Sequence, residues 1–277
     1  MGQAADKDLN GRWDITPTND ARNRAWWLEI EGAGTPNAKG KFISAFGGDL
    51  NIIDTLKIEN GNLEFGFTKS KNIYKARLEG DKLVGTSPQP WVGVRAPEIK
   101  DKDDASWKKG KPVDLFLGQE IKEKGWSVEN GILKSTGGAA NIGSNEKFWN
   151  FELHVEYRVS PHSNSGVGLR ARYEVQILED FGKPPGTHSN GALYSRIAPS
   201  VNASKPANEW QTVDIRLVGR TVTIVLNGQT VIDKGHIDGL TAMATDPNEG
   251  EPGPITLQGD HGPVEFRKIT LTPLTRK

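Results

Sequence analysis

In the stretch RARYEVQIL, Arg170 to Leu178, polar and apolar residues alternate. Arg170, Arg172, Glu174 and Gln176 fall on one side and Ala171, Tyr173, Val175 and Ile177 on the other, the period of a half-buried strand. The first side thus carries one carboxylate among two guanidinium groups and an amide. A solvated outer face is the competing reading of the same alternation. Immediately upstream, SNSGVGL puts Asn164, Gly166 and Gly168 in phase with Arg170, so that side of the preceding segment carries almost no side-chain volume. Interior glycines mark places where another molecule approaches the backbone, and equally tight bends. On the first reading, a polar strand beside a bare one makes a groove.

Near the C-terminus, LQGDHGPVEFR places Gln258 opposite in phase to Leu257, and Asp260-His261-Gly262 turns before the last strand. A histidine beside an acidic residue in a loop serves as a base, a metal ligand or a plain surface turn. His188, in the proline- and glycine-rich PPGTHSNG, is placed to rim the groove. His154 alternates on the polar side of FELHVEYRV, His162 sits in a turn and His236 in a loop. There is no G-x-S-x-G elbow, phosphate loop, dinucleotide glycine fingerprint or H-E-x-x-H helix, so no nucleotide cofactor is expected. A conventional glycosidase needs two carboxylates flanking the scissile bond. Glu174 has Gln176 as its neighbour in phase, Glu179 is an odd number of residues away, and only Asp260 remains as a second carboxylate.

Composition narrows the class of partner. The 277 residues carry a formal net charge of zero, without the basic footprint that nucleic acid demands. No run of about 18 apolar residues is present to span a membrane. With no cysteine, disulfides, thiolate metal sites and a cysteine nucleophile are excluded. The opening MGQAADKDLNG lacks an apolar leader and reads as a mature export product behind a start codon or equally as a cytoplasmic terminus; a periplasmic or secreted protein is expected.

The elements that must position these residues are all strands. Glycine and proline are abundant and helical periodicity is scarce. From GRWDIT to WVGVRA, short alternating runs joined by turns such as Asn60-Gly61 predict a small antiparallel barrel over residues 1–96. An early Gly11-Arg12-Trp13 and a late Arg95 resemble the lipocalin-type pattern. Residues 97–111 are charged and aperiodic and read as a linker. Residues 112–277 resume with longer alternating strands and predict a two-sheet sandwich; only 236–246 has a helical alternative to a loop.

From about Val113 to Leu274 the chain resembles the 3-keto-disaccharide hydrolase domain, a concanavalin-like jelly-roll sandwich. NSGVGLRARYEVQIL, NGALYSRIAPSVNASKPANEWQTVDI, TIVLNGQTVI and PITLQGDHGPVEFRKI carry the resemblance in the expected order; the family's closing Phe-Arg-Asn is here Phe266-Arg267-Lys268. The resemblance implies cleavage of glycosides already oxidised at C3 of the sugar, in bacterial carbohydrate catabolism. The C3 ketone acidifies the C2 proton, so the bond at C1 breaks by elimination and water then adds. It further implies Glu174 or His261 as the base, with Arg172 and a divalent cation as alternative or joint polarisers of the C3 oxygen. Asn164, Arg170, Gln176, Gln258 and His188 would bind the sugar. A non-catalytic carbohydrate-binding protein is the alternative, although Tyr157 and Tyr173 fall on the apolar side of their strands rather than forming a sugar platform.

Overall fold

The structure is a computed structural model that describes residues 6–20, 24–44 and 48–277. Apart from one helical turn at residues 6–7, the described residues form strands, turns and loops. They divide into two compact units: the chain up to Glu98 with Gly239–Gly250, and Ile99–Asp238 with Glu251–Lys277.

The first unit contains β1 (Gly11–Pro17), β2 (Trp26–Glu31), β3 (Lys39–Ile43), β4 (Asn51–Ile52), β5 (Thr55–Glu59), β6 (Asn62–Gly66), β7 (Ile73–Glu79), β8 (Lys82–Ser87) and β9 (Trp91–Arg95). Their order, β4-β3-β2-β1-β9-β8-β7-β6-β5, is an up-and-down meander sealed by antiparallel pairing of its first and last strands. At the seam between β4 and β5, Ile53 N donates to Gly40 O at 3.0 Å and Asp54 N to Gly66 O at 3.2 Å, tying both edges. Phe42 on β3 packs 5.0 Å from Phe65 on β6, and Trp26 on β2 lies 5.9 Å from Tyr74 on β7. Strands so distant in the sheet order meet only because the sheet curls around one aromatic interior. The lipocalin-like pattern has a physical content here. The Arg95 guanidinium lies 3.9 Å from the ring centroid of buried Trp13 and donates to the carbonyls of Asn10 and Asp8, so a cation–π contact and two hydrogen bonds pin the last strand to the chain's beginning.

The second unit contains β10 (Trp107–Lys109), β11 (Val113–Asp114), β12 (Trp126–Glu129), β13 (Ile132–Thr136), β14 (Ile142–Gly143), β15 (Phe151–Val159), β16 (Asn164–Leu169), β17 (Tyr173–Leu178), β18 (Gln211–Val218), β19 (Thr221–Leu226), β20 (Gln229–His236), β21 (Thr256–Leu257) and β22 (Pro263–Arg276). One sheet runs β12-β13-β22-β15-β18-β19-β20, with β10 and β11 also on β22, and the other runs β14-β21-β16-β17. This is the predicted sandwich, and its two sheets differ in what they show to solvent. Along β15 buried and half-exposed residues alternate without a break, whereas on β16 and β17 only the terminal Asn164 and Leu178 escape full burial.

Four local readings change. Residues 97–111 are not a bare linker, because β10 pairs with β22 and Asp101 accepts from Trp149 Nε1 at 2.7 Å and Asn150 Nδ2 at 3.0 Å. Asp103 accepts from Arg216 Nε at 2.9 Å. Polar anchors hold this segment, which is why it has no apolar period. Arg170–Leu178 is not one strand, since β16 and β17 form a hairpin whose turn contains Arg170 and Ala171. His236 ends β20. Gly191–Ile197, one of the short segments of 112–277 that the sequence reads as strands, is a loop that touches β17 through a single bridge, Val175 to Leu193.

Candidate active site

Antiparallel partners point to the same side of a sheet, so register defines the site. Gly168 pairs with Glu174 and Gly166 with Gln176, while Val167 pairs with Leu257 and Gly168 with Thr256. Gln258 N donates to Gly166 O at 3.0 Å. One face therefore carries Asn164, Gly166, Gly168, Glu174, Gln176, Thr256 and Gln258. The opposite face carries Val167, Leu169, Tyr173, Val175, Ile177 and Leu257, all fully buried.

Glycine at 166 answers a packing demand: a Cβ there would stand 2.5 Å from Glu174 Oε1. The Glu174 carboxyl thus lies over the bare backbone of β16. Glu174 is only 3% exposed, and burial, assisted by the negative charge of Asp260, pushes its carboxyl up to about 8. With its amide nitrogen turned inward, Gln176 donates to Glu174 Oε1 at 3.3 Å and to Ser165 O at 3.2 Å. Asp260 Oδ1 lies 2.5 Å from His261 Nδ1, and the His261 side chain is about half exposed. Asn164 Oδ1 and Gln258 Oε1 are buried with no hydrogen-bond partner. Two acceptors in that condition, on the same face as Glu174, suit a ligand that brings hydroxyl donors.

The two arginines part company. Arg170 belongs to the turn, where it and Ala171 both have φ of 57° and Arg172 N donates back to Leu169 O at 3.1 Å. Left-handed backbone at two consecutive non-glycine residues is costly, and a lock holds it. The Arg170 guanidinium donates to Trp149 O at 2.6 Å, Gly219 O at 3.1 Å and Asn150 Oδ1 at 3.0 Å, and lies 3.9 Å from the Trp149 ring centroid. Burial pushes Arg170 down to about 10. The structure commits this side chain to the fold, away from the sugar-facing position expected of it. Arg172 is also fully buried and donates through Nη1 to Glu251 O at 2.5 Å.

His188 is exposed, with its ring 4.8 Å from that of Tyr194. Nothing in the local sequence marked Tyr194, yet register brings it to the site. Tyr194 N donates to Glu174 O and Gln176 N to Ala192 O, each at 3.0 Å, around the Val175–Leu193 bridge. Tyr194 therefore meets Glu174 in backbone register, at the start of the turn over residues 194–196. A buried polar network holds its loop. Asp180 accepts from Asn190 N at 2.9 Å and Ser204 Oγ at 2.7 Å, and Asn190 Oδ1 accepts from Tyr157 OH at 2.8 Å. Among the described residues, no group of three or more histidine, aspartate or glutamate side chains is arranged to hold a metal ion.

Glu174 is thus a buried carboxyl of raised pKa, beside the Gln176 amide and over the bare backbone of Gly166. The chain belongs to the family of 3-keto-alpha-glucoside-1,2-lyase-like domains, which matches residues 101–272. It is 27% identical over 143 residues to a 3-keto-disaccharide hydrolase of Bacteroides thetaiotaomicron, an alignment covering 39% of this chain and 49% of that protein. The chain thus spans about half the length of the curated relative it matches. Two crystal structures of candidate glycosyl hydrolases from Parabacteroides distasonis are each 24% identical with a TM-score of 0.48. One alignment covers 69% of this chain and 83% of that one, the other 58% and 98%.

Proposed function

We propose that this protein cleaves the glycosidic bond of 3-keto-glycosides, with Glu174 as the base. The observation that carries the reading is one buried carboxyl with its pKa pushed up to about 8, while the neighbouring carboxylate, Asp260, is engaged by His261 Nδ1 at 2.5 Å. Elimination needs one base near neutrality, whereas displacement at an unactivated C1 needs two carboxylates. Glu174 takes the C2 proton, and the C–H electron pair forms an enolate with the C3 carbonyl. Arg172 stabilises the charge on the C3 oxygen. The enolate then expels the C1 oxygen substituent and leaves a C1–C2 double bond conjugated to the ketone. Water adds at C1 and Glu174 returns its proton to C2, so the net change is hydrolysis. Asn164 and Gln258 accept from sugar hydroxyls, and Gln176 orients the Glu174 carboxyl. Burial, assisted by the charge of Asp260, holds the Glu174 pKa up, and His261 orients Asp260.

The test is incubation with a 3-keto-glucoside and with its unoxidised parent, each with and without a chelator. Cleavage of the ketone alone is expected. Equal turnover of the parent would contradict elimination, and tight binding of the ketone without turnover would make this a binding module. Loss of activity on chelation, restored by a divalent cation, would transfer part of the C3 polarisation from Arg172 to a metal.

A further inference from the structure

Elimination leaves one proton unaccounted for, because a sugar leaves C1 as a poor alkoxide unless its oxygen is protonated. In the route above Glu174 keeps the C2 proton for its return to C2, so the leaving oxygen takes its proton from another group. The group must lie next to the base, since C1 and C2 are bonded neighbours, and adjacent strands bring side chains about 5 Å apart. Tyr194 meets this requirement through the Val175–Leu193 bridge and the Tyr194 N to Glu174 O hydrogen bond. It is half-buried, and a tyrosine hydroxyl both donates and accepts. Its ring packs 4.8 Å from that of His188, whose exposed imidazole exchanges protons with solvent. The alternative donor, the Asp260–His261 pair, follows β21 on the other side of β16 from β17 and so lies across the face from Tyr194.

Resting on the reading above, we propose that Tyr194, backed by His188, is the catalytic acid for the leaving group. In elimination the C1–O bond breaks, its electron pair stays on oxygen, and the Tyr194 hydroxyl proton passes to that oxygen. The resulting phenolate recovers a proton from the water that attacks C1. Tyr194 ends as it began, and Glu174 likewise after returning its proton to C2.

The test compares a 3-keto-disaccharide with nitrophenyl 3-keto-glucoside, whose leaving group needs no proton, and follows deuterium entry at C2 of recovered substrate in heavy water. Tyr194→Phe keeps the ring. It should lose about 100-fold or more on the disaccharide, retain turnover of the nitrophenyl glycoside within a few-fold, and still exchange deuterium at C2. His188→Asn should show the same pattern more weakly. Equal losses on both substrates, or loss of C2 exchange, would make Tyr194 a positioning residue and overturn the proposal. Wild-type protein that neither exchanges C2 nor cleaves either ketone would instead remove the functional reading beneath it.

Discussion

β15 and β17 look alike as strings of letters and behave as opposites. Each alternates apolar residues with long polar ones: Glu152, His154, Glu156 and Arg158 on β15, Glu174 and Gln176 on β17. On β15 the polar side is half-exposed and each group meets an opposite charge across the sheet. His154 lies 2.7 Å from Asp214, Arg216 2.9 Å from Glu152, and Arg267 2.5 Å from Glu156, while Arg158 pairs with Glu265. Burial is the largest single influence on the Glu156 carboxyl and pushes it up, yet the hydrogen bonds and charges of Arg267 and His154 together hold it below its ordinary value. On β17 the carboxyl is buried and shifted the other way, up to about 8. Alternation thus says only that a strand has two different faces. Whether the polar face is a solvated surface or a site depends on what covers it and on whether its charges are compensated.

The largest expected effect separates the strands by activity. Glu174→Gln keeps shape and hydrogen bonding but removes the base, so turnover of a 3-keto-glucoside should fall by about 100-fold or more. Glu156→Gln should leave steady-state rates unchanged; a comparable loss there would erase the distinction. Gly166→Ala comes next. Its Cβ displaces only the end of a flexible side chain, so the domain should keep its melting profile while activity falls, by up to about 100-fold for a displacement near 1 Å.

Stability sharpens the same contrast. Arg170→Ala leaves the carbonyls of Trp149 and Gly219 and the Asn150 side chain without their buried donor, at a cost of about 3 kcal/mol by denaturant unfolding. Arg158→Ala breaks a partly exposed pair and should cost under ~1 kcal/mol. Equal costs would mean that the hairpin turn is not locked by its arginine. The smallest effect is Ala171→Gly, which relieves a left-handed residue and should raise stability by up to ~1 kcal/mol. A decrease would show that the Ala171 methyl group contributes more than its backbone costs.

How much of this was legible beforehand follows from the kind of signal each feature leaves. Period-two alternation with glycine-rich turns revealed the all-β class, the barrel and the sandwich, because burial on one face writes itself into composition. It also identified Glu174, Gln176 and Gln258, whose common direction the register sets. The Arg170–Ala171 turn was illegible, because turns with two positive φ values normally announce themselves with asparagine or glycine, and here tertiary contacts from Trp149, Asn150 and Gly219 impose the conformation. Tyr194 left no trace either. A lone bridge from a loop has no period, and the polar network of Asp180, Asn190 and Ser204 that holds it is assembled from separated segments. The association of Gly239–Gly250 with the first unit is equally non-local.

The central claim is that burial has turned an ordinary carboxyl at position 174 into a base working near neutrality, and the pH dependence of kcat/KM on a 3-keto-glucoside tests it most directly. If Glu174 is the base, the free protein is active only with Glu174 ionised, so kcat/KM should rise with pH along a limb of apparent pKa near 8. Asp260→Asn, which removes the charge that helps to raise it, should move the limb downward. Linkage supplies a check of sign: a carboxyl that binds its proton more tightly when folded makes the wild-type protein lose stability as pH rises from about 4.5 toward about 8, and Glu174→Gln should flatten that slope. An activity limb at the ordinary carboxylate position, or one near 8 that survives Glu174→Gln, would contradict the assignment of the base.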